Sequence, residues 1–180
     1  MPTTMEDKVR AVVAAELGMA AYFLKIDGIP GESQDKQHKN EIDVLSFSWW
    51  NVSSTTGVGT GGGGKAGKVT FQDLQFVAAA NKAGPQLMLS CATGKHIPRA
   101  ILTGRRRGGR EQQDFLKVTL ENVIVSSYAA TGSTGDGAMP LDTATLKFGK
   151  IEVEYKEVRA DGSIGETVKV SYDIGKNSSV

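Results

Sequence analysis

Three long apolar alternations in this chain change phase part-way along, and that constrains the fold more than any other feature. Val69 and Phe71 give way to Leu74 and Phe76. Leu116, Val118 and Leu120 give way to Val123 and Val125, and Leu146 and Phe148 to Ile151, Val153 and Tyr155, with Gly149 at the break. Side chains of a strand alternate between two faces, so a one-residue slip would turn an apolar face into water. A bulge or bend at each break restores the register and adds curvature. Repeated phase changes therefore predict a mainly β chain with strongly bent sheets or a barrel, not a flat sandwich.

Other segments agree. Tyr22, Leu24 and Ile26 alternate with Phe23, Lys25 and Asp27 before Gly28 and Pro30-Gly31 end the run. Leu45, Phe47 and Trp49 alternate with Val44, Ser46 and Ser48, and Val168, Val170, Tyr172 and Ile174 form the cleanest period-2 stretch. Asp161-Gly162 reads as a hairpin turn, because glycine tolerates the positive φ such turns demand. One helix interrupts the strands. Gly84-Pro85 opens it, Leu87, Met88 and Cys91 share a face, and Gly94 closes it. Cys91 is thus expected to be packed.

The first 18 residues differ from the rest. Thr3 and Thr4 precede Glu6 and Asp7 at capping-box spacing, and Val9, Val12, Val13 and Leu17 fall near one helical face. This N-terminal extension reads as a short amphipathic helix, as a frayed extension, or as the product of a start codon placed too early, with Met19 the real initiator. The domain division is 1–18 for the extension and 19–180 for the barrel.

Catalytic and ligand signals are thin. A single cysteine excludes an internal disulfide, and a net charge of +1 gives no electrostatic reason for a nucleic-acid or membrane partner. No apolar run approaches the roughly 20 residues that span a bilayer, and no signal peptide is legible, so synthesis in the cytoplasm is expected. Gly62, Gly67 and Lys68 match the start of a phosphate-binding loop. Val69 stands where a magnesium-holding hydroxyl belongs, however, and a strand follows where a helix should begin. Arg105, Arg106, Arg107 and Arg110 around Gly108-Gly109 read as a hairpin tip of solvated charge. His38 and His96 lie at no metal-ligand spacing. Neither catalytic residues, a metal nor a cofactor is called for.

The blocks AAYFLKIDGIPGES, EIDVLSFSWW, GGGGKAGKVTFQDLQF, GPQLMLSCATGKHIPRAIL, FLKVTLENVIVSSY and ATLKFGKIEVEYKEVRADGS follow one another in order. In this order and spacing, from about Met19 to Lys176, the chain resembles the Hcp (haemolysin-coregulated protein) family of type VI secretion. The resemblance implies a β-barrel of two curved sheets with one flanking α-helix and a long extended loop. It implies a homohexameric ring with a wide channel, stacking into a tube that a contractile sheath drives outward behind a spike protein. By the same resemblance the loop from Ser53 to Lys68, with Thr56, Gly57, Gly61, Gly64 and Lys65, reaches the next ring. Ser48 and Ser133 match channel-lining positions, small effector proteins are the cargo, and export to the extracellular space or a target cell follows. The rival expectations are an effector enzyme riding on this scaffold and a free-standing β-barrel binding module.

Overall fold

The computed structural model describes residues 20–49, 51–53, 69–106, 112–134, 139–159 and 163–179. Strands β1 (Ala20–Ile26), β2 (Ile42–Ser48), β3 (Asn51–Ser53), β4 (Val69–Phe71) and β5 (Leu74–Ala79) lead into helix α1 (Ala83–Thr93). Then come β6 (Ile97–Arg106), β7 (Gln113–Thr131), β8 (Leu141–Lys147), β9 (Lys150–Val158), β10 (Ile164–Asp173) and β11 (Ser178–Ser179). The N-terminal extension, most of the 53–68 loop, Arg107 and Arg110, and the Asp161-Gly162 turn lie outside the described residues.

Six strands close into a barrel in the order β7-β6-β1-β2-β5-β8 and back to β7, all neighbours antiparallel. Strands β9, β10 and β11 continue the sheet outward from β7 as a ribbon. The 19-residue β7 makes both possible. Its first half pairs with β9 from Leu116↔Tyr155 to Glu121↔Lys150, and its second half with β8 from Ile124↔Lys147 to Thr131↔Leu141. The barrel and the curvature are as the phase changes predict.

Each predicted phase change has its own device. In β7 the slip is absorbed by Asn122, which adopts a left-handed φ of 53°. Between β8 and β9 it is absorbed by Phe148-Gly149, directly beside Asn122. There the Gly149 N–H donates to the Glu121 carbonyl at 2.9 Å, and a Cβ on Gly149 would stand 3.2 Å from that of Asn122. The third alternation breaks at Gln72-Asp73 into two strands: β4 leaves the barrel to pair with β3, with Ser53 opposite Val69.

The core is formed by Leu24, Ile42, Leu74, Phe76, Leu102, Val118, Leu120, Val125 and Leu146, each almost fully buried. At about 25 cal/mol per Å² of apolar surface, each such side chain contributes about 2 kcal/mol. Two sequence readings need correction here. In β2 the inward residues begin as Ile42 and Val44, and a register shift between Val44 and Ser46 leaves Leu45 61% exposed. In α1 the buried face is Ala83, Gly84, Leu87 and Ser90; Cys91 is half-buried and Met88 points outward. Gly94 does end the helix, with φ 61°. The opening turn is packed so closely that a Cβ on Gly84 would lie 2.6 Å from Asp142 Oδ2.

Candidate functional site

The first surface is the ribbon. Inward residues of the barrel sheet run in rows across the strands, and one row passes from Leu24 through Leu102 and Val118 to Val153 and Val170. Within the barrel this row is buried; at its far end Val170 is 62% exposed. Val168 opposite Tyr155 extends the same apolar stripe, with Val168 52% and Tyr155 49% exposed. The clean alternation of β10 thus marks a strand whose apolar face is uncovered in a single chain. Its opposite face carries ion pairs of Lys169 with Glu152 at 3.0 Å and Lys156 with Glu154 at 3.3 Å. Contiguous exposed apolar sheet of this kind marks an interaction surface.

The second surface is the outer face of β2, β5, β8 and β7. Ser48 pairs with Gln75, Gln75 with Thr145 and Thr145 with Ser127, giving one polar row across four strands. The Ser127 and Thr145 hydroxyls are 2.6 Å apart, and Ser126 donates to the Asp73 carboxylate. The next row, Ser46, Val77, Thr143 and Ala129, is also uncharged. Ser48 is therefore one member of a wall of small side chains. Ser133 is exposed just beyond the end of β7. Sequence reasoning named Ser48 but not its row neighbours Gln75, Thr145 and Ser127, because cross-strand register is not visible in one sequence.

The third feature is the base of the 53–68 loop. The short β3–β4 ladder closes it, and the Phe71 ring packs 5.0 Å from Tyr172 and 6.3 Å from Phe148. The loop's root is thereby fastened to the corner where the ribbon leaves the barrel. Of the proposed loop residues, Ser53 is placed here opposite Val69; Thr56, Gly57, Gly61, Gly64, Lys65 and Lys68 lie outside the described residues.

A cluster of buried charge was missed by the sequence reading. Arg105 is not solvated but 2% exposed. Its Nε donates to Asp114 and a terminal nitrogen to Asp35, both at 2.8 Å; the other donates to Gln37. Arg105 lies on the outer face of the barrel in register with Ala21, beside Phe23, and the 30–41 connection buries it there. Desolvation opposes the charge, but Asp114 and then Asp35 outweigh it and raise Arg105 above its ordinary value. His38 stacks on Phe23 at 4.4 Å, with Nδ1 2.9 Å from Glu41 and Nε2 3.3 Å from Asp114. A cleft of about 300 Å³ opens beside it, lined by Lys25, Thr103 and Lys117 among others. The polar groups of the cluster are spent on one another, fastening the 30–41 connection to β6 and β7. Among the described residues, no group of three His, Cys, Asp or Glu side chains could hold a metal ion.

Fold and surfaces together define a class: a small closed β-barrel that carries an exposed apolar sheet extension. The family described as "Type VI secretion system effector, Hcp" matches residues 23–155. The chain is 44% identical over 156 residues to protein hcp1 of Pseudomonas aeruginosa, covering 86% of this chain and 95% of that protein. Among solved structures, Hcp1 from Salmonella typhimurium superposes with a TM-score of 0.74 at 37% identity, covering 90% of this chain and 99% of that one. A structure described as a type six secretion system protein gives 0.83 at 25% identity, covering 89% and 99%. The chain belongs to the Hcp family, and it is a type VI secretion tube protein.

Proposed function

We propose that this chain is the repeating subunit of a homohexameric ring, that such rings stack into the secretion tube, and that small effector proteins travel in the channel. The observation that carries the reading is the apolar stripe of Tyr155, Val168 and Val170, which prolongs the barrel core into solvent. Cyclic rings use heterologous contacts, in which one patch meets a different patch on the next copy. A stripe on one side of the barrel suits that geometry. The uncharged wall around Ser48, Gln75, Thr145 and Ser127 faces away from α1 and is assigned to the channel, with Ser133 at its margin. Small polar side chains there keep the wall wet and hold no cargo tightly. The 53–68 loop, rooted beside the ribbon, is assigned to stacking. Residues 19–180 form the working domain and 1–18 an appendage. The role requires no enzymatic step, cofactor, nucleic acid or membrane insertion; a spike protein and a contractile sheath are the remaining partners, and secretion carries the protein out of the cell.

Light scattering coupled to size-exclusion chromatography tests the ring. The wild-type protein should elute at six times the mass of one chain, and Val170→Asp should reduce it to folded monomers. A wild-type monomer at tens of micromolar, or a Val170→Asp hexamer, would remove the ribbon from the interface.

A further inference from the structure

Asp73, Ser126, Thr145 and Ser127 form a relay on the outer face of β5, β8 and β7, and its protons can run in only one direction. The register of β7 against β8 shifts between Val125 and Ser127, so Ser126 and Ser127 both stand beside Thr145. Asp73, just before β5, closes one end. A carboxylate only accepts, so the Ser126 hydroxyl donates to Asp73. Each hydroxyl has a single proton to give. Ser126 has then spent its own, and its 2.7 Å contact with Thr145 requires Thr145 to donate. Thr145 is spent in turn, so Ser127 donates to it across 2.6 Å. The Thr145 carbonyl, 3.4 Å from the Ser126 oxygen, is the weaker claimant on that proton.

The row therefore has one polarity. Its hydroxyl protons all point along the wall towards Asp73, and what it offers outward is lone pairs and a carboxylate oxygen. Ser126 and Ser127 are exposed, while Thr145 and Asp73 are half-buried. Among the described residues no cation pairs with Asp73, the exposed Lys147 at the end of β8 included.

We infer that this relay receives a cationic hydrogen-bond donor, a guanidinium above all, on the surface of the protein carried past it. The inference rests on the assignment of this wall to the channel and adds the chemistry of what meets it. Charge complementarity decides the occupant. An acidic group would face lone pairs and a like charge, with no proton to receive it. A guanidinium brings several N–H donors in a fixed fork, which can bridge Asp73 and a neighbouring hydroxyl. One such contact at an exposed wall is weak. Repeated around a ring, it gains by multivalency without trapping the cargo.

Fluorescence anisotropy with a short fluorescein-labelled oligo-arginine peptide tests this, against an oligo-glutamate peptide of the same length. The wild-type protein should bind the arginine peptide and not the glutamate one. Asp73→Asn should weaken binding about tenfold. Asp43→Asn removes the same charge from an exposed position on β2 outside the relay and should change binding by less than about twofold. Thr145→Val keeps every charge but cuts the relay, freeing the Ser127 proton to point outward, and should weaken binding about threefold. It also guards against an Asp73→Asn protein that fails to fold. Equal losses in Asp73→Asn and Asp43→Asn, no effect of Thr145→Val, or equal binding of the two peptides overturns the inference. Light scattering on the same samples separates the site from the ring. A monomer whose binding still falls with Asp73→Asn keeps the site and loses the channel, whereas an intact ring indifferent to Asp73→Asn loses the site.

Discussion

Asn122 on β7 and Gly149 between β8 and β9 face each other at the corner where barrel becomes ribbon, with 3.2 Å between the Asn122 Cβ and the place a Cβ of Gly149 would take. The pair lets two adjacent strands bend together without losing register. Asn122 holds a left-handed φ, which a β-branched side chain disfavours. Asn122→Val should cost about 1–3 kcal/mol, whereas Asn122→Gly should stay within about 1 kcal/mol of wild type. Urea denaturation distinguishes them, and equal losses for both would show that the conformation is not what Asn122 supplies.

Removing Arg105 would leave Asp35 and Asp114 without their buried counter-charge. Asp35 and Asp114 keep 22% and 37% exposure, so Arg105→Ala should destabilise the fold by about 1–3 kcal/mol and quicken exchange in residues 33–41. A loss below about 1 kcal/mol, the range of surface pairs, would mean that the cluster opens to water.

Acid should weaken the same fastening. Burial opposes ionisation of Asp35, but the N–H groups of Gln37 and His38, then Arg105, outweigh it and hold the carboxyl below its ordinary value. A lowered folded-state value gives stability that is present above the unfolded value, about 3.9, and is lost as pH falls through the folded one. Asp35→Asn should therefore be less stable than wild type at pH 7, with the gap narrowing below about pH 4. A gap that stays constant down to pH 2 would assign the loss to the amide's own packing.

Shortening Gly57–Gly64 to two residues should leave hexamers intact while abolishing tubes and secretion. If the loop makes the stacking contact, ordering it would cost about 1–2 kcal/mol per residue, and six loops engaging at once would offset that through multivalency. Negative-stain images of the variant decide this. A fall to monomers would move the loop into the ring interface.

The proposed channel wall can be tested by bulk. Ser48→Trp should leave ring mass unchanged and reduce co-purification of effectors severalfold. Unchanged co-purification would place Ser48 elsewhere than on the cargo's path.

How far the sequence could be read follows the range of the interactions. The bends at Asn122 and Gly149 and the end of α1 at Gly94 were legible because local apolar periodicity and a single glycine determine them. Leu45 was misread because its displacement comes from pairing with β5, which begins some thirty residues on. Arg105 read as solvated because its partner Asp35 is 70 residues away. The row from Ser48 to Ser127 depends on three separate registers, none of which leaves a mark in local composition.

Strand β7 belongs to barrel and ribbon at once, without a break in the backbone. A neighbour pulling on the ribbon along its strands therefore loads the ladder from Leu116↔Tyr155 to Glu121↔Lys150 in shear. Its hydrogen bonds then resist side by side instead of unzipping one after another. If copies of the chain meet through the ribbon, the long bent strand is a load path, one that carries force from that contact into the core.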